Sequence, residues 1–373
     1  MEPGHSRKSR ILLVTARADY GGGPEYVYRL LSALKDKSDF YLACPDDYPY
    51  MEKYRSIVGP ERIVTIPHRK FDLISLINLI KFAVRNKIDI IHSHGKGGGI
   101  YSRPAALLAG IKCVHTFHGI HTGEYGPLAK KLYLVIEKFF TLLTVKAVAV
   151  SESEKSVILQ NGIAPENKIF VIPNGVAIPD EAADPPGSDT RLNVITVTRF
   201  DFAKNSMLFT EIIKEVMNRG EQHRFKFIFI GDGPELARVQ ERISESGAAE
   251  LTEFTGFTCN VAEYYKKAFC CVSTSRWEGL PLSVLEAMSF GVPVIATDVS
   301  GNRDAVRHSQ SGYLFNPEKP ADAADYLIKL VYGPDLWKQM SYNSRKLCIE
   351  SFSFERTAEE NLELYNKLTE KIT

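Results

Sequence analysis

The chain has 373 residues, of which 44% are hydrophobic and 24% charged, and its net charge is +1. These values are typical of a soluble globular protein that is long enough for two domains of ordinary size. No apolar run approaches the roughly 18 residues of a transmembrane helix, so we expect any membrane contact to be peripheral.

The N-terminus and the cysteines indicate a cytoplasmic protein. The first ten residues, "MEPGHSRKSR", are basic, but the following "ILLVTA" is too short for the core of a signal peptide. None of the six cysteines belongs to a C-x-x-C pair, and most lie in apolar runs such as 269–272. We therefore expect reduced core residues rather than disulfides or zinc ligands.

Charge is distributed unevenly along the chain. Residues 1–178 carry a balance of +8 between basic and acidic side chains, and the remainder carries −7. This asymmetry has two explanations. Either the two surfaces simply differ in composition, or the first half faces something anionic, such as a membrane surface or a phosphorylated acceptor.

Short apolar runs alternate with amphipathic stretches in the first half of the chain. Helical periodicity follows most of the runs, for instance over 25–35 and 73–86. This rhythm predicts a parallel sheet that is covered by helices on both faces. The predicted strands are 11–15, 40–43, 63–66, 88–93, 113–117 and 147–151.

A glycine-rich turn, Gly21-Gly-Gly-Pro-Glu25, follows the first predicted strand and precedes a helix. Glycines let backbone N–H groups approach a phosphate closely, and the start of a helix adds positive potential. The turn lacks the third glycine of a G-x-G-x-x-G fingerprint, and no P-loop lysine follows it. It is therefore either a plain turn or part of an anion site.

Histidines are concentrated near the ends of two predicted strands. His94 and His118 come at strand ends, whereas His92 and His115 alternate with them and are expected to pack within the sheet; His121 follows shortly after. A zinc site is one hypothesis for such a cluster. No cysteine or acid completes a convincing ligand set, so we expect no bound metal.

The segment 130–146, "KKLYLVIEKFFTLLTVK", predicts a helix with a broad apolar face. Its lysines at 130, 131, 138 and 146 lie at the edges of that face. A buried helix of the first-domain core fits this pattern, and so does a basic amphipathic helix that lies on an anionic membrane.

The segment 179–191, "PDEAADPPGSDTR", has three prolines, four acids and no apolar run, which predicts an interdomain linker. The strand–helix rhythm then restarts, so we expect domains at 1–178 and 192–353. A charged amphipathic helix is predicted at the C-terminus, over about 354–373. The strands of the second domain are predicted at 193–198, 226–230, 254–256, 269–274 and 293–297.

Two loops in the second half follow predicted strands directly. Arg199 and Lys204 come after 193–198, and two cations at a strand end can neutralise a diphosphate. Gly231 and Gly233 form a strand-to-helix turn in "FIFIGDGPELARVQ". The alternatives are solvated surface cations for the first pair and a purely structural turn for the second.

The stretch 276–296, "RWEGLPLSVLEAMSFGVPVIA", is the most informative of the chain. It places Glu278 and Glu286 eight residues apart across the start of a helix predicted over 282–290, with Pro281 at its first position. The backbone N–H groups of Leu282 and Ser283 then form an anion site that suits a diphosphate. An isolated pair of glutamates would more often be solvated surface charges.

This spacing resembles the E-x7-E motif of retaining glycosyltransferases with the GT-B fold, in particular family 4, and the flanking "EGLPLSVLEAMSFGVPVIATD" matches along its whole length. The other motifs occur in the family's order over about 10–355. Gly22, Gly23 and Glu25 match a GGxE loop, and Arg199 and Lys204 match a GRLxxxKG-like pattern. The resemblance implies two facing Rossmann-like, doubly wound domains with a cleft between them, and a C-terminal helix that packs back on the first domain.

The resemblance also implies a role for each matching residue. Arg199 and Lys204 would stabilise the leaving diphosphate, Glu278 would position the donor sugar, and His118 in "TFHG" would contact it as a further catalytic residue. Glu25 and His94 would line the acceptor side. The donor-binding residues would be Gly22, Gly23, Gly231, Gly233, Leu282, Ser283 and Glu286.

The implied reaction moves a hexosyl or N-acetylhexosaminyl group from a nucleotide-diphosphate sugar, with UDP expected, to a hydroxyl group with retention. We expect a lipid-linked or glycan acceptor in capsule, lipopolysaccharide or exopolysaccharide synthesis. No covalent nucleophile, tightly bound metal or other cofactor is implied, and no nucleic-acid partner is expected. The protein would be cytoplasmic, at the inner face of the membrane if 130–146 touches lipid.

The chain departs from the family pattern at three positions. Thr198 and Asn205 stand where the family often has glycine, and Asp304 stands where it more often has glutamate. A sugar-nucleotide epimerase of the same architecture and a catalytically silent nucleotide- or glycan-binding subunit are the alternatives. The missing G-x-G-x-x-G argues against an NAD-dependent oxidoreductase, and the short chain argues against a phosphorylase.

Overall fold

The computed structural model describes residues 7–120, 126–183 and 191–370. The chain forms two compact units. The first runs to Asn174 and resumes at Phe354, and the second spans Gly175–Ser353. The chain thus passes from one unit to the next four residues before the predicted linker begins.

A parallel sheet forms the centre of the first unit, with seven strands among its described residues. The strands are β1 (Arg10–Thr15), β2 (Asp39–Cys44), β3 (Ile63–Thr65), β4 (Ile90–His94), β5 (Lys112–Thr116), β6 (Lys146–Ala149) and β7 (Ile169–Val171). Their order across the sheet is β3-β2-β1-β4-β5-β6-β7. The near-continuous apolar character of β1 follows from burial on both faces.

Helices cover both faces of this sheet. They are α1 (Gly22–Leu34), α2 (Tyr50–Val58), α3 (Leu73–Arg85), α4 (Gly95–Ala109), α5 (Pro127–Leu142), α6 (Glu152–Gln160) and the C-terminal helix (Phe354–Thr369). Ile11 and Leu13 of β1 pack with α1, α2 and the C-terminal helix. Leu12 and Val14 point the other way and pack with α3 and α4.

Helix α5 corrects one of the two alternatives for 130–146, the buried core helix. It ends at Leu142, and Lys146 lies in β6 instead. Its buried side chains are the polar Glu137 and Thr141, whereas most of its apolar side chains are exposed. The sequence pattern shows a wide apolar surface but does not reveal which side of the helix faces the sheet.

A buried ion pair joins α5 to α4. Arg103 Nη1 lies 2.8 Å from Glu137 Oε2, and the two side chains are 1% and 5% exposed. The guanidinium also lies over the rings of Phe117 and Phe140. Because ions are costly to bury, each charge depends on the other for its stability inside the unit.

The second unit repeats the architecture with six parallel strands among its described residues. They are β8 (Leu192–Val197), β9 (Phe225–Ile230), β10 (Thr252–Gly256), β11 (Ala268–Ser273), β12 (Val294–Thr297) and β13 (Gly312–Phe315). Their order is β10-β9-β8-β11-β12-β13. Fully buried Phe209, Phe225, Phe227 and Phe229 contribute much of its core.

Helices again surround this second sheet. They are α7 (Ser206–Asn218), α8 (Leu236–Glu245), α9 (Ala262–Lys266), α10 (Leu282–Ser289), α11 (Asn302–Ala305), α12 (Pro320–Tyr332) and α13 (Pro334–Phe352). Residues 184–190 of the predicted linker lie outside the described residues. The preceding stretch is held on the second unit, because Ala183 N–H donates to Phe290 O and Arg345 donates to Pro179 O.

The predicted α/β class with two Rossmann-like domains is confirmed, and every predicted strand is present with shifts of one or two residues at its ends. Two strands were missed, β7 and β13. The first has only three residues, and the second begins at Gly312. Pro281 was placed one position too far into α10: with φ −76° and ψ 115° it is the extended residue before the helix.

None of the helices in the described part of the chain is both long enough and apolar enough to cross a bilayer.

Replacing Glu137 by alanine should destabilise the first unit by about 3–5 kcal/mol, because Arg103 is left buried without its partner. The double variant Arg103→Met, Glu137→Met should recover most of this loss. Calorimetric unfolding measures the effect, and tryptophan fluorescence identifies the transition of the second unit, which contains both Trp277 and Trp337.

The matched control is Glu253→Ala, which removes the half-exposed pair between Lys226 and Glu253. It should change stability by less than about 1 kcal/mol. An unchanged unfolding temperature in Glu137→Ala would contradict the buried pair.

Candidate active site

The strand order of the second sheet reverses between β8 and β11. Loops that leave the carboxyl ends of two such strands turn to opposite sides and open a crevice, where ligands of open α/β sheets bind. In this unit the loops are 198–205 and 274–281. They contain Arg199, Lys204 and Glu278, so the structure brings these predicted site residues to one edge of the sheet.

Glu278 is held by two hydrogen bonds at this edge. Lys204 Nζ lies 2.5 Å from Glu278 Oε1, and Ser275 Oγ donates to the same oxygen at 2.6 Å. Among the described residues, hydrogen bonds to this side chain reach only Oε1. The other carboxylate oxygen, Oε2, accepts no hydrogen bond from these residues.

Lys204 and Arg199 differ in their surroundings. The side chain of Lys204 is 27% exposed, whereas that of Arg199 is 54% exposed and pairs with Asp201 in its own loop. Asp201 also accepts a hydrogen bond from Lys204 N–H at 3.0 Å. The carboxylate of Asp201 thus contacts both Arg199 and Lys204.

Asn205 explains one departure from the family pattern. It has φ 52° and ψ 46°, the left-handed conformation in which glycine and asparagine are the residues tolerated best. Its side-chain oxygen accepts a hydrogen bond from Arg276 at 2.9 Å. Asparagine therefore satisfies the backbone demand and also ties the loop after β8 to the loop after β11.

Helix α10 begins directly after the Glu278 loop. Its first i→i−4 bond runs from Leu285 N–H to Pro281 O at 3.1 Å, so the earlier N–H groups, including those of Leu282 and Ser283, point out of the helix start. Glu286 lies one turn further along. Its carboxylate is 3.4 Å from the hydroxyl of Tyr265, which also donates to Ser283 O at 3.0 Å.

The loop after β12 packs against the Glu278 turn. Gly301 has φ 80°, and a Cβ there would come within 2.7 Å of Gly279 O, so only glycine fits. Asp304, where the family more often has glutamate, accepts a hydrogen bond from Gly301 N–H at 3.3 Å. Asp304 thus bonds the backbone of its own loop.

Close backbone packing requires glycine at positions 231 and 233, which the sequence did not reveal. A Cβ on Gly231 would lie 1.9 Å from Thr198 O, and a Cβ on Gly233 would lie 2.5 Å from Phe200 O. Both glycines therefore let the turn after β9 lie against the loop after β8. Their predicted contact with a donor stays a prediction.

The first sheet has its own reversal point between β1 and β4. Gly22 and Gly23 form the first turn of α1, with Gly21 as the N-cap, so their N–H groups lie at a helix start. Glu25 is bound by Arg29 and by the hydroxyl of Tyr50. Burial raises the pKa of Glu25, but these two partners outweigh it and lower the pKa overall.

His94 and His118 meet at this edge, with His94 Nδ1 3.2 Å from His118 Nε2. Burial lowers the pKa of His118 to about 4 and that of His94 well below its usual value. Both imidazoles are therefore neutral at pH 7, so each ring has one donor and one acceptor nitrogen. His94 Nε2 is buried without a hydrogen-bond partner among the described residues.

His92 and His115, the other two described members of the predicted histidine cluster, pack within the sheet, as predicted. His92 bonds Tyr365 and Thr116, and His115 bonds Ser93. Their nitrogens do not converge on a common point. Among the described residues, the group with metal-ligand spacing is instead Asp19, Asp47 and His68. Its two carboxylates are already paired, Asp19 with Arg17 and Asp47 with His68. His121 lies outside the described residues.

Three residues at these edges were missed by the sequence analysis. Tyr26 lies with its ring centroid 5.4 Å from that of His94 and 5.1 Å from that of His118. Tyr265 and Ser275 hold Glu286 and Glu278. The signal for Tyr26 was its position one residue after Glu25, and that for Ser275 was its position three residues before Glu278. No sequence pattern marks Tyr265, because its partner Glu286 is 21 residues away along the chain.

Comparison with known protein families identifies both halves of the chain. Residues 20–178 match the sequence model described as Glycosyltransferase Family 4, and residues 179–347 match the model described as Glycosyl transferases group 1. Together the two matches cover most of the chain in the expected order.

Two curated relatives from Escherichia coli are similar over most of their length. One is named UDP-Gal:alpha-D-GlcNAc-diphosphoundecaprenol alpha-1,3-galactosyltransferase and is 27% identical over 79% of each chain. The other, the O-antigen biosynthesis glycosyltransferase WbnH, is 24% identical over 77% of this chain and 81% of its own.

Among solved structures, Anabaena HepE in complex with UDP and glucose superposes with a TM-score of 0.84 at 16% identity, covering 96% of this chain and 100% of HepE. This likeness concerns the fold, and it confirms the predicted GT-B class. The two family matches establish the activity: the chain is a glycosyltransferase that belongs to the group 1 glycosyl transferases, with a family 4 N-terminal half.

Proposed function

We propose that this glycosyltransferase moves a hexosyl or N-acetylhexosaminyl group from a UDP-sugar to a hydroxyl group of a lipid-linked or glycan acceptor, with retention at the anomeric carbon. The observation that carries the proposal is the Lys204–Glu278 pair, which lies at the strand-order reversal beside the start of α10. The name of the galactosyltransferase relative supports a UDP-sugar and a diphospholipid acceptor.

The leaving diphosphate is proposed to bind Lys204, Arg199 and the N–H groups of Leu282 and Ser283. Negative charge grows on the diphosphate as the glycosidic bond breaks, and cations and helix N-termini that are already in place stabilise that charge. The planar guanidinium of Arg199 can donate to two diphosphate oxygens at once, whereas the ammonium of Lys204 acts as a point charge. Electrostatic stabilisation is therefore the main contribution of this edge to the reaction.

Glu278 is proposed to position the donor sugar, and Glu286 the ribose. Lys204 and Ser275 fix Oε1 of Glu278, which orients Oε2 toward a sugar hydroxyl. The hydroxyl of Tyr265 lies against Glu286 and limits its movement. Carboxylates held in this way recognise hydroxyl groups at little additional cost in side-chain entropy.

On the first unit, His118 and His94 are proposed to contact the donor sugar and the acceptor. Neutral imidazoles suit this role: in the bond between the two rings one ring donates and the other accepts, which leaves one acceptor nitrogen and one donor nitrogen for hydroxyl groups. The two rings bond each other, so His94 also fixes the orientation of His118. The family mechanism, in which the donor phosphate accepts the acceptor proton, needs no protein nucleophile or bound metal.

Because the proposed acceptor is lipid-linked, we propose that the reaction takes place at the cytoplasmic face of a membrane. One E. coli relative is named for a diphosphoundecaprenol-linked substrate and the other for O-antigen biosynthesis, which supports a role in cell-surface polysaccharide synthesis.

Thermal unfolding with UDP, GDP, ADP and CMP tests the donor site. UDP at 100 times its Kd should stabilise the protein by about 2.7 kcal/mol, and the other nucleotides should have smaller effects at the same concentration. Glu286→Ala should weaken UDP binding about tenfold or more, because it removes charge-assisted hydrogen bonds to the ribose. Glu241→Ala, on the exposed surface of α8, should bind UDP as the wild type does.

Stabilisation by GDP alone would contradict the proposed base. The absence of stabilisation by every nucleotide would favour the silent subunit instead.

Lys204→Ala should lower kcat/KM by a factor of about 10²–10³, the range seen when one preorganised electrostatic donor is lost. Release of UDP from UDP-galactose in the presence of a GlcNAc-diphospholipid measures the rate. Lys226→Ala, which removes an exposed ion pair of the same unit, should leave the rate unchanged.

A purely structural ion pair would behave differently. In that case Lys204→Met, Glu278→Met would keep an apolar contact and restore activity. We expect the double variant to remain as inactive as either single variant, because the charges act on the substrate.

A further inference from the structure

The outward side of α5 carries a continuous apolar stripe. We call Leu128, Leu132, Val135, Phe139 and Leu142 the α5 stripe; they recur every three or four residues and therefore share one side of the helix. Their exposed fractions range from 54% to 82%. Scattered apolar residues are normal on a protein surface, but five in one row on one helix are not.

The polarity of α5 is inverted relative to that of an ordinary surface helix. Its fully buried side chains are Glu137 and Thr141, which lie inward beside the half-buried Leu134, and Glu137 pairs with Arg103 of α4. A helix selected only for solubility would bury the leucines and expose the acid. The inversion indicates that the outward side of α5 meets an apolar environment.

Neighbouring helices extend this apolar surface. Helix α3 packs on α4 through one shared core cluster, and α4 is joined to α5 by the Arg103–Glu137 pair. The exposed apolar residues of the two neighbours are Leu73, Ile74, Ile77 and Val84 on α3 and Ile100, Leu107 and Leu108 on α4. Together with the α5 stripe they form what we call the α3–α5 face.

The charges of the α3–α5 face have one sign. Helices α3, α4 and α5 contain seven lysines and arginines but one acid, Glu137, which is buried against Arg103. The exposed charged residues are Lys81, Arg85, Lys130, Lys131 and Lys138. The face is thus complementary to a partner that is both apolar and anionic.

We propose that the α3–α5 face docks on an anionic phospholipid bilayer, with the α5 stripe inserted at the boundary between headgroups and acyl chains. Lysines 130, 131 and 138 then contact lipid phosphates, as on other basic amphipathic helices that lie in the interface. A bilayer supplies apolar and anionic groups side by side over an extended surface.

This docking deepens the proposed function, because the lipid carrier of the acceptor lies in the same bilayer. It does not depend on the donor, and its test uses neither donor nor acceptor. A failure of docking is therefore distinct from a failure of the proposed transfer reaction.

Vesicle flotation with the full chain tests the docking. Wild-type protein should bind phosphatidylcholine vesicles that contain about one third phosphatidylglycerol, and raising the salt concentration should weaken binding. Leu132→Glu, Phe139→Glu should lower the partition constant about tenfold or more, because two apolar side chains no longer enter the bilayer. The matched control, Tyr342→Glu, Ile349→Glu, alters two exposed residues of α13 and should bind as the wild type does.

A second pair of variants tests the charges separately. Lys131→Glu, Lys138→Glu should weaken binding about thirtyfold or more, because two cations no longer attract lipid phosphates. Lys338→Glu, Lys346→Glu on α13 makes the same change in net charge on the other unit and should leave binding unchanged. Circular dichroism verifies that each variant is folded.

Three results would overturn the proposal. One is the absence of wild-type binding to anionic vesicles, and another is equal binding of the α5 variants and their controls. The third is a dimer of the wild type in vesicle-free solution that Leu132→Glu, Phe139→Glu converts to a monomer, since a second copy would then cover the face.

Discussion

The chemistry of the second unit depends on one topological constraint, the reversal of strand order between β8 and β11. Parallel pairing of these strands brings residues 74 positions apart to the same sheet edge, where Lys204 contacts Glu278. Thr274 Oγ1 and Arg276 N–H then bond backbone carbonyl groups of the loop after β8. The sheet therefore places the ion pair, and these loop-to-loop bonds keep it in position.

Close backbone packing completes this edge of the sheet. Gly231 and Gly233 lie against Thr198 and Phe200, and Gly301 lies against the Glu278–Gly279 peptide. A side chain at any of these glycines would displace a loop that carries a proposed donor-binding residue. Their main contribution is to position neighbouring loops, and this explains why a glycine-rich turn can be essential without the three-glycine dinucleotide fingerprint.

The first unit relies on a buried polar network instead. The C-terminal helix contributes Tyr365 to His92 and Asn361 to Tyr26, and the ring of Tyr26 packs against His94 and His118. Burial keeps these histidines neutral, which suits hydrogen bonding and removes the need for a counter-charge. The last helix of the chain thus supports the edge at which the first unit is proposed to bind sugars.

The sequence predicted the parts of the structure that rest on local pattern. Apolar runs bounded by polar loops gave the two parallel sheets, and the helix start after Pro281 was placed within one residue. The pattern does not contain long-range partners: Tyr265 of α9 and Asn361 of the C-terminal helix act on residues far away in the chain. Likewise, Asn205 stands where the family often has glycine, and its left-handed backbone became visible only in three dimensions.

Helix α5 shows the same limit most clearly, because its orientation cannot be decided from periodicity. An apolar surface that wraps most of a helix leaves both orientations open, and here the buried contact of Arg103 with Glu137, together with the packing of half-buried Leu134, selects one of them. These contacts fix Glu137 inward and leave the α5 stripe outward. Burying an ion pair while exposing leucines opposes folding in water, so the stability of the first unit alone does not account for this arrangement. An environment that is apolar and anionic reverses the balance, because it removes the stripe from water and attracts the surrounding lysines.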